Sequence, residues 1–247
     1  MFTHIYLGSV LLEPRRWSRE RQPSIALPDW TPRMRSAGFD GWDLWEFHDV
    51  PPPVEDVRVY NSYLLPEEAS PDEISGLAER VNRSGAGMLK FNVGKEADAP
   101  ERAIAPLLAL AKACPGVDLL CECHPGTPLE NAETAIPWIR SLPETFGVIL
   151  HPLGEENTFT TACLAQIPER VRLVHLQLKN LETGKRALLN ERPDVVRARL
   201  EELFRLGYQG PATLEFTRGV GGGPEDTPET LFQHAVKDLA FLRGDAA

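Results

Sequence analysis

Two rhythms alternate along this chain. Short runs of β-branched and aromatic residues change character at every second position. Longer stretches between them have helical spacing. The strand-like runs are HIYLGSV (4–10), WDLWEF (42–47), VRVYNS (57–62), MLKFNV (88–93), DLLCECH (118–124), FGVILH (146–151), RLVHLQL (172–178) and ATLEF (212–216). The helix-like stretches are PDEISGLAERVNRSG, PERAIAPLLALAKAC, LENAETAIPWIRSL, FTTACLAQIPER, PDVVRARLEELFRLG and TPETLFQHAVKDLAFLR. Asp, Thr or Pro stands where several of these helices start, and glycine closes them in NRSGAG and LFRLGYQG. MFTHIYLGSVLLEPRRW has no basic start and no small-residue cleavage site, so it reads as a first strand rather than a signal peptide.

Strand–helix alternation implies parallel βαβ units with right-handed crossovers. Eight such units in 247 residues predict an α/β chain folded as a single-domain (β/α)8 TIM barrel over residues 1–247. A doubly wound open sheet is the alternative, but no GxGxxG follows any strand. PPPVED (51–56) and GVGGGPED (219–226) read as loops rather than domain boundaries.

Alternation then sorts side chains by face. Leu89, Phe91, Val148, Leu150, Val174, Leu176, Leu214 and Phe216 turn toward the outer helices. Lys90, Asn92, Glu122, His124, His151, His175, Gln177 and Glu215 turn into the barrel, near the strand C-termini where barrel enzymes hold their chemistry. So many polar groups in an interior cost several kcal/mol unless they are paired or hold an ion. In CECHPG (121–126), Cys121 and Cys123 point away from Glu122, so they are expected to pack as small buried hydrophobes rather than form a zinc knuckle or redox pair. On the second strand alternation is ambiguous: Trp42 and Leu44 suit the helix side, which would turn Asp43 and Trp45 inward, with Glu46 and His48 at or past the strand end.

Charge narrows the partners. The chain has 36 acidic and 26 basic residues, a net charge of -10, which makes a phosphate backbone a poor partner; no nucleic acid is expected. No apolar run approaches the ~20 residues that span a bilayer, so no membrane is expected either. Four cysteines without a secretory signal suggest free thiols and a cytoplasmic location.

Taken in order, GFDGWDLWEFH (38–48), LLCECHPG (119–126), FGVILHPLG (146–154), VRLVHLQLKN (171–180) and YQGPATLEF (208–216) resemble the xylose isomerase-like TIM barrels, the sugar phosphate isomerase/epimerase group. The resemblance implies one divalent cation, held by Glu, Asp, His and Glu from strands five to eight. Glu122, His175 and Glu215 match three of these, and His151 stands where the family has Asp. Gly154 stands where the family often has a second His. An extra imidazole shifts the metal preference from Mg toward Zn, Co, Ni or Mn. The residues themselves leave a second reading open, in which the histidines are hydrogen-bonded core residues and Glu215 pairs with Lys90 or Arg218.

The resemblance further implies a metal-dependent sugar isomerase or epimerase. Glu122 and Glu215 would move a proton between adjacent carbons, with His151 and His175 as metal ligands. The expected partner is a small sugar or polyhydroxy acid, with a homodimer possible. Substrate contacts are sought among Lys90, Asn92, His124, Gln177, Trp45, Glu46, His48 and Arg218. Arg218 belongs to the glycine-rich TRGVGGGPED loop, a position that binds phosphate in many barrels. Three other functions compete: a metal-dependent lyase or dehydratase, an abasic-site endonuclease, and a metal-free binding barrel.

Overall fold

The computed structural model describes residues 1–14, 22–154, 157–221 and 226–244. Eight parallel strands close into a barrel: β1 (Ile5–Gly8), β2 (Trp42–Trp45), β3 (Val57–Asn61), β4 (Met88–Phe91), β5 (Asp118–Glu122), β6 (Phe146–Leu150), β7 (Val171–Leu176) and β10 (Ala212–Leu214). Two short strands, β8 (Leu178–Lys179) and β9 (Arg186–Ala187), form a separate antiparallel ribbon after β7. Seven α-helices lie among the described residues: α1 (Leu27–Ala37), α2 (Pro71–Ser84), α3 (Ala99–Ala113), α4 (Ala132–Ser141), α5 (Thr158–Gln166), α6 (Pro193–Arg205) and α7 (Pro228–Arg243). This is the (β/α)8 TIM barrel, with a short 3-10 turn, Glu46–His48, and a loop in place of an α-helix between β2 and β3.

Local chemistry explains most of these elements. In α2 the Ser70 hydroxyl accepts the Glu73 N–H, and the Glu73 carboxylate accepts the Ser70 N–H, a reciprocal cap of two orphan donors. Its Ile74, Leu77, Ala78 and Val81 repeat at helical spacing and are buried; Gly85, at φ +71°, ends it in the left-handed region. The helix that the sequence pattern misses is α1. LPDWTPRMRSA carries Pro28 and an interior Pro32 and buries only Leu27, Thr31 and Met34. Tertiary packing overrides its poor helical propensity.

The strands are shorter at their C-terminal ends than expected. β4 stops at Phe91, β5 at Glu122, β6 at Leu150 and β10 at Leu214. Ser9–Leu12, expected in part as strand, is a 3-10 turn. Asn92, His124, His151, Gln177 and Glu215 therefore sit on the first loop residues at the mouth, while Lys90, Glu122 and His175 remain on strands.

The barrel interior has two levels. Tyr6, Val59, Leu120, Ile149 and Leu173, with Met88 against them, form an apolar plug separate from the strand–helix core. Above it, Asp43, Asn61, Lys90, Glu122, His175, Thr213 and Glu215 are buried polar residues at inward positions. The outward residues Leu89, Phe91, Cys121, Val148, Leu150, Val174, Leu176, Leu214 and Phe216 all belong to the strand–helix core. Cys121 packs there as expected, with Cys123 half-buried beside it at an Sγ–Sγ distance of 3.8 Å. The segment 222–225 of the glycine-rich loop and residues 15–17 of the N-terminal stretch lie outside the described residues. No described helix is long and apolar enough to cross a membrane.

Candidate functional site

Four side chains from four neighbouring strands converge at the mouth. One potential ligand atom from each of Glu122, His151, His175 and Glu215 lies within 4.8 Å of the others. His175 stands between the two carboxylates: its Nδ1 is 3.5 Å from Glu122 Oε1 and 3.6 Å from Glu215 Oε1. Its Nε2 faces Asp43 Oδ2 at 3.1 Å. His151 Nε2 is 3.0 Å from Glu122 Oε1, and its ring stands perpendicular to that of His175. The Gln177 amide nitrogen lies 2.7 Å from His151 Nδ1 and donates to Glu215 Oε2 at 2.8 Å. Gly8 leaves room for this corner: a Cβ there would lie 3.2 Å from the Glu215 Cα.

The second oxygen of Glu122 is engaged separately. Lys90 Nζ lies 2.7 Å from Oε2, and the Lys90 ammonium also donates to Asn92 Oδ1 at 2.6 Å. His124 Nε2 is 3.1 Å from the same carboxylate oxygen. The alternative of a Glu215–Lys90 or Glu215–Arg218 pair is not formed: Lys90 holds Glu122, and Arg218 holds Glu191 at 2.8 Å.

The electrostatics follow from this crowding. Burial opposes the Glu122 carboxylate, but the charge of Lys90 and the contacts with His124, His151 and His175 outweigh it and hold its pKa well below the ordinary range. Burial likewise opposes the Lys90 ammonium, and the charge of Glu122 reverses the effect, so its pKa is raised. For His175, burial is overcome by the charge of Glu215 and contacts with Asp43 and Glu122, which push its pKa well above 6.5. Glu215 is lowered because His175 outweighs burial and the neighbouring Glu122.

These residues fit a divalent cation. Three buried carboxylates, Asp43, Glu122 and Glu215, face one buried ammonium, Lys90. The imbalance is two negative charges, which a dication would cancel with both imidazoles neutral. Both His175 nitrogens are buried without a well-aligned hydrogen bond, although Nδ1 is aimed between two carboxylates. With Nδ1 toward the ion, Nε2–H would point at Asp43, the carboxylate–histidine–metal arrangement that fixes ring orientation. Mixed imidazole and carboxylate donors suit Zn, Co or Mn.

The other expected contacts are placed differently. Trp45 is buried, with its ring edge-on to His48 and Tyr63. His48 is also buried; its Nδ1 lies 3.0 Å from Ser9 Oγ and its Nε2 3.4 Å from the buried Glu13. Glu46 accepts from the Tyr63 N–H and the Ser62 hydroxyl and meets Arg80 at 3.7 Å. These three residues bind the β2–β3 connection to its neighbours. His124 and Gln177 do line a cleft of about 1160 Å³ that opens beside His151 and runs past Phe159 to Lys179, Arg186 and Arg192. Asp43 was visible by alternation as inward, but nothing in the sequence tied it to His175 across the barrel. Asn61 and Thr213, each with a buried oxygen lacking a hydrogen bond, had no sequence signal beyond their strand parity.

No protein-family model matches the sequence, and neither does any curated protein. Solved structures do match in fold. The IolI protein, described with a zinc atom bound, is similar over 99% of this chain and 100% of its own, at 13% identity and a TM-score of 0.68. A xylose isomerase domain containing protein from Salmonella typhimurium matches over 98% and 97%, at 16% identity and a TM-score of 0.69. The 3-keto-D-glucoside 4-epimerase of E. coli matches over 98% and 99%, at 14% identity and a TM-score of 0.61. At these identities the shared property is the fold, and the chain has the architecture of the xylose isomerase-like TIM barrels.

Proposed function

We propose that this protein is a divalent-metal-dependent isomerase or epimerase of a sugar or polyhydroxy acid, which moves a proton between adjacent carbons. The observation that carries the reading is the His175 Nδ1, buried between the Glu122 and Glu215 carboxylates with no well-aligned hydrogen bond. Similar folds include a protein described with a zinc atom and one described as a sugar epimerase, which supports a metal and a small polyhydroxylated ligand.

Glu122, His151, His175 and Glu215 would hold the ion. When bound, it supplies Lewis acidity, polarising a substrate carbonyl and stabilising negative charge as it develops on oxygen. The chain's own residues do the rest. Glu122 and Glu215 each bring a carboxylate oxygen within 3.6 Å of His175 Nδ1, so a carbon held at this centre would be within reach of both carboxylates. Glu215, which accepts a hydrogen bond from the Gln177 amide, takes the proton from carbon. Glu122 is ionised at rest, so it relays to the neighbouring carbon a proton drawn from the Lys90 ammonium 2.7 Å away, and water in the cleft then reprotonates Lys90 and takes the proton from Glu215. His124 links that carboxylate to the cleft: its side chain is 52% exposed and its bond to Glu122 raises its pKa. Lys90 and Asn92 position Glu122, and Gln177 orients both His151 and Glu215.

The test is turnover of a ketose and hydroxy-acid panel in deuterated water, with Mn, Co, Zn or Mg supplied in turn. Deuterium should enter at a single carbon, and Glu122→Gln and Glu215→Gln should each abolish exchange while the fold persists. Undiminished exchange in both variants would sink the assignment. An unsaturated product in place of an isomer would move the protein to the lyases.

A further inference from the structure

The ribbon after β7 contains an arrangement that the quartet does not account for. Lys179 on β8 and Arg186 on β9 are directly opposed partners. In an antiparallel pair, opposed residues project from the same face, and like charges in that relation are destabilising. The neighbouring pair, Leu178 opposite Ala187, is buried in the core, so the ribbon is anchored by one face and offers the other. Both Lys179 and Arg186 line the cleft beside His151 and Gln177.

Arg192 reaches the same cleft from the residue preceding α6. None of these three cations has a carboxylate within ion-pair distance among the described residues, whereas Arg33, Arg35, Arg80, Arg83, Arg172 and Arg218 each hold one. Arg186 is half-buried, with its guanidinium 4.7 Å over the Phe216 ring, a contact that fixes its direction without neutralising it. Arg199, also on the cleft, meets Glu202 at 3.6 Å. Among the described residues, the acidic residues that line the cleft are Glu130 and Glu133, which follow β5, and Glu130 is engaged by the Gly126 N–H. A chain with net charge -10 thus lines the cleft beside its candidate metal centre with three cations that have no carboxylate partner among the described residues.

We propose that Lys179, Arg186 and Arg192 form a subsite for an anionic group on the substrate, and that this group is a phosphate monoester. Guanidinium groups match phosphate oxygens in charge and geometry. Three cations answer a dianion, where a single carboxylate would be met by one arginine. The cleft, about 1160 Å³, has the volume for a phosphorylated sugar reaching from His151 of the quartet to the ribbon. This rests on the quartet being the reaction centre, and it places the phosphate contact after β7 rather than in the glycine-rich loop after β10.

The probe is inorganic phosphate, titrated calorimetrically into chelator-treated full-length protein, with acetate and chloride at matched ionic strength beside it. Phosphate should bind saturably, and Arg186→Gln and Arg192→Gln should each weaken it about tenfold or more. Lys179→Gln should weaken phosphate binding and also raise the melting temperature of the phosphate-free protein, because it removes the opposed like charge. The Glu122→Gln, Glu215→Gln double variant should bind phosphate as the parent does, so a failed metal centre and a failed subsite give different results. Absence of phosphate binding, or binding indifferent to all three ribbon and Arg192 substitutions, would overturn the subsite. Acetate binding as tight as phosphate would overturn the phosphate class in favour of a carboxylate. Should Arg186→Gln fail to fold, Arg192→Gln and Lys179→Gln decide alone.

Discussion

His175 Nε2 lies 3.1 Å from Asp43 Oδ2, with both side chains buried, and this contact joins β7 to β2 across the barrel interior. It orients the imidazole so that Nδ1 faces the two glutamates. Asp43→Asn keeps the size of the side chain but removes the charge that would favour the Nδ1-ligating tautomer. Metal affinity, measured by competition with a chromogenic chelator, is expected to fall about 10–100-fold. Unchanged affinity would mean that Asp43 has no part in orienting the ligand.

Among the described inward residues around the quartet, Lys90 is the one buried lysine or arginine, and it holds Glu122 at 2.7 Å. Lys90→Met leaves three buried carboxylates without it. Removing one partner of a buried pair costs about 3–5 kcal/mol. Urea unfolding of the chelated protein should show a loss of that order, and saturating Mn or Zn should recover part of it by supplying the missing positive charge. Equal losses with and without metal would separate Lys90 from the metal centre.

A cation that binds only the folded state raises its stability. At a metal concentration near 100 Kd the gain is about 2.7 kcal/mol, and for a chain of this size each kcal/mol moves Tm by about 2–4 °C. Thermal unfolding with Mn, Co, Zn and Mg should show this shift in the parent and none in the Glu122→Gln, Glu215→Gln double variant. A parent whose Tm ignores all four metals would favour a metal-free binding barrel.

Away from the mouth, Asp238 on α7 is buried, accepting from the Leu189 N–H at 2.8 Å and the Thr217 hydroxyl at 2.6 Å. Burial raises its pKa from 3.8 to about 6, against the pull of those two bonds. A raised folded-state pKa favours the protonated form. Its contribution is therefore fully present below the unfolded value near 4 and is lost as pH rises through about 6. Asp238→Asn should gain on the parent across that window by about 3 kcal/mol, at 1.36 kcal/mol per pKa unit. Denaturant titrations of both proteins at pH 4 and pH 7 measure the difference; a constant offset would show that Asp238 does not titrate there.

The sequence by itself determined the barrel and the parity of its strands. Period-two alternation is a local property of the backbone, so Glu122, His175 and Lys90 could be placed inside, and Cys121 outside, without knowing any neighbour. The same parity, continued one residue past each strand, placed His151 and Glu215 at the mouth. Only the tertiary structure decided who meets whom. Asp43 and His175 are 132 positions apart and touch because closure of the barrel brings β2 across from β7. His48 was equally eligible by residue type, yet it is drawn between Ser9 and Glu13 by the packing of the β1 and β2 connections. The helix α1 and the ribbon of Lys179 and Arg186 left no clear periodic trace, since two prolines obscure the first and two-residue strands are too short to show a period. Parity is written residue by residue along the chain, whereas contacts between strands distant in sequence arise only when the sheet closes.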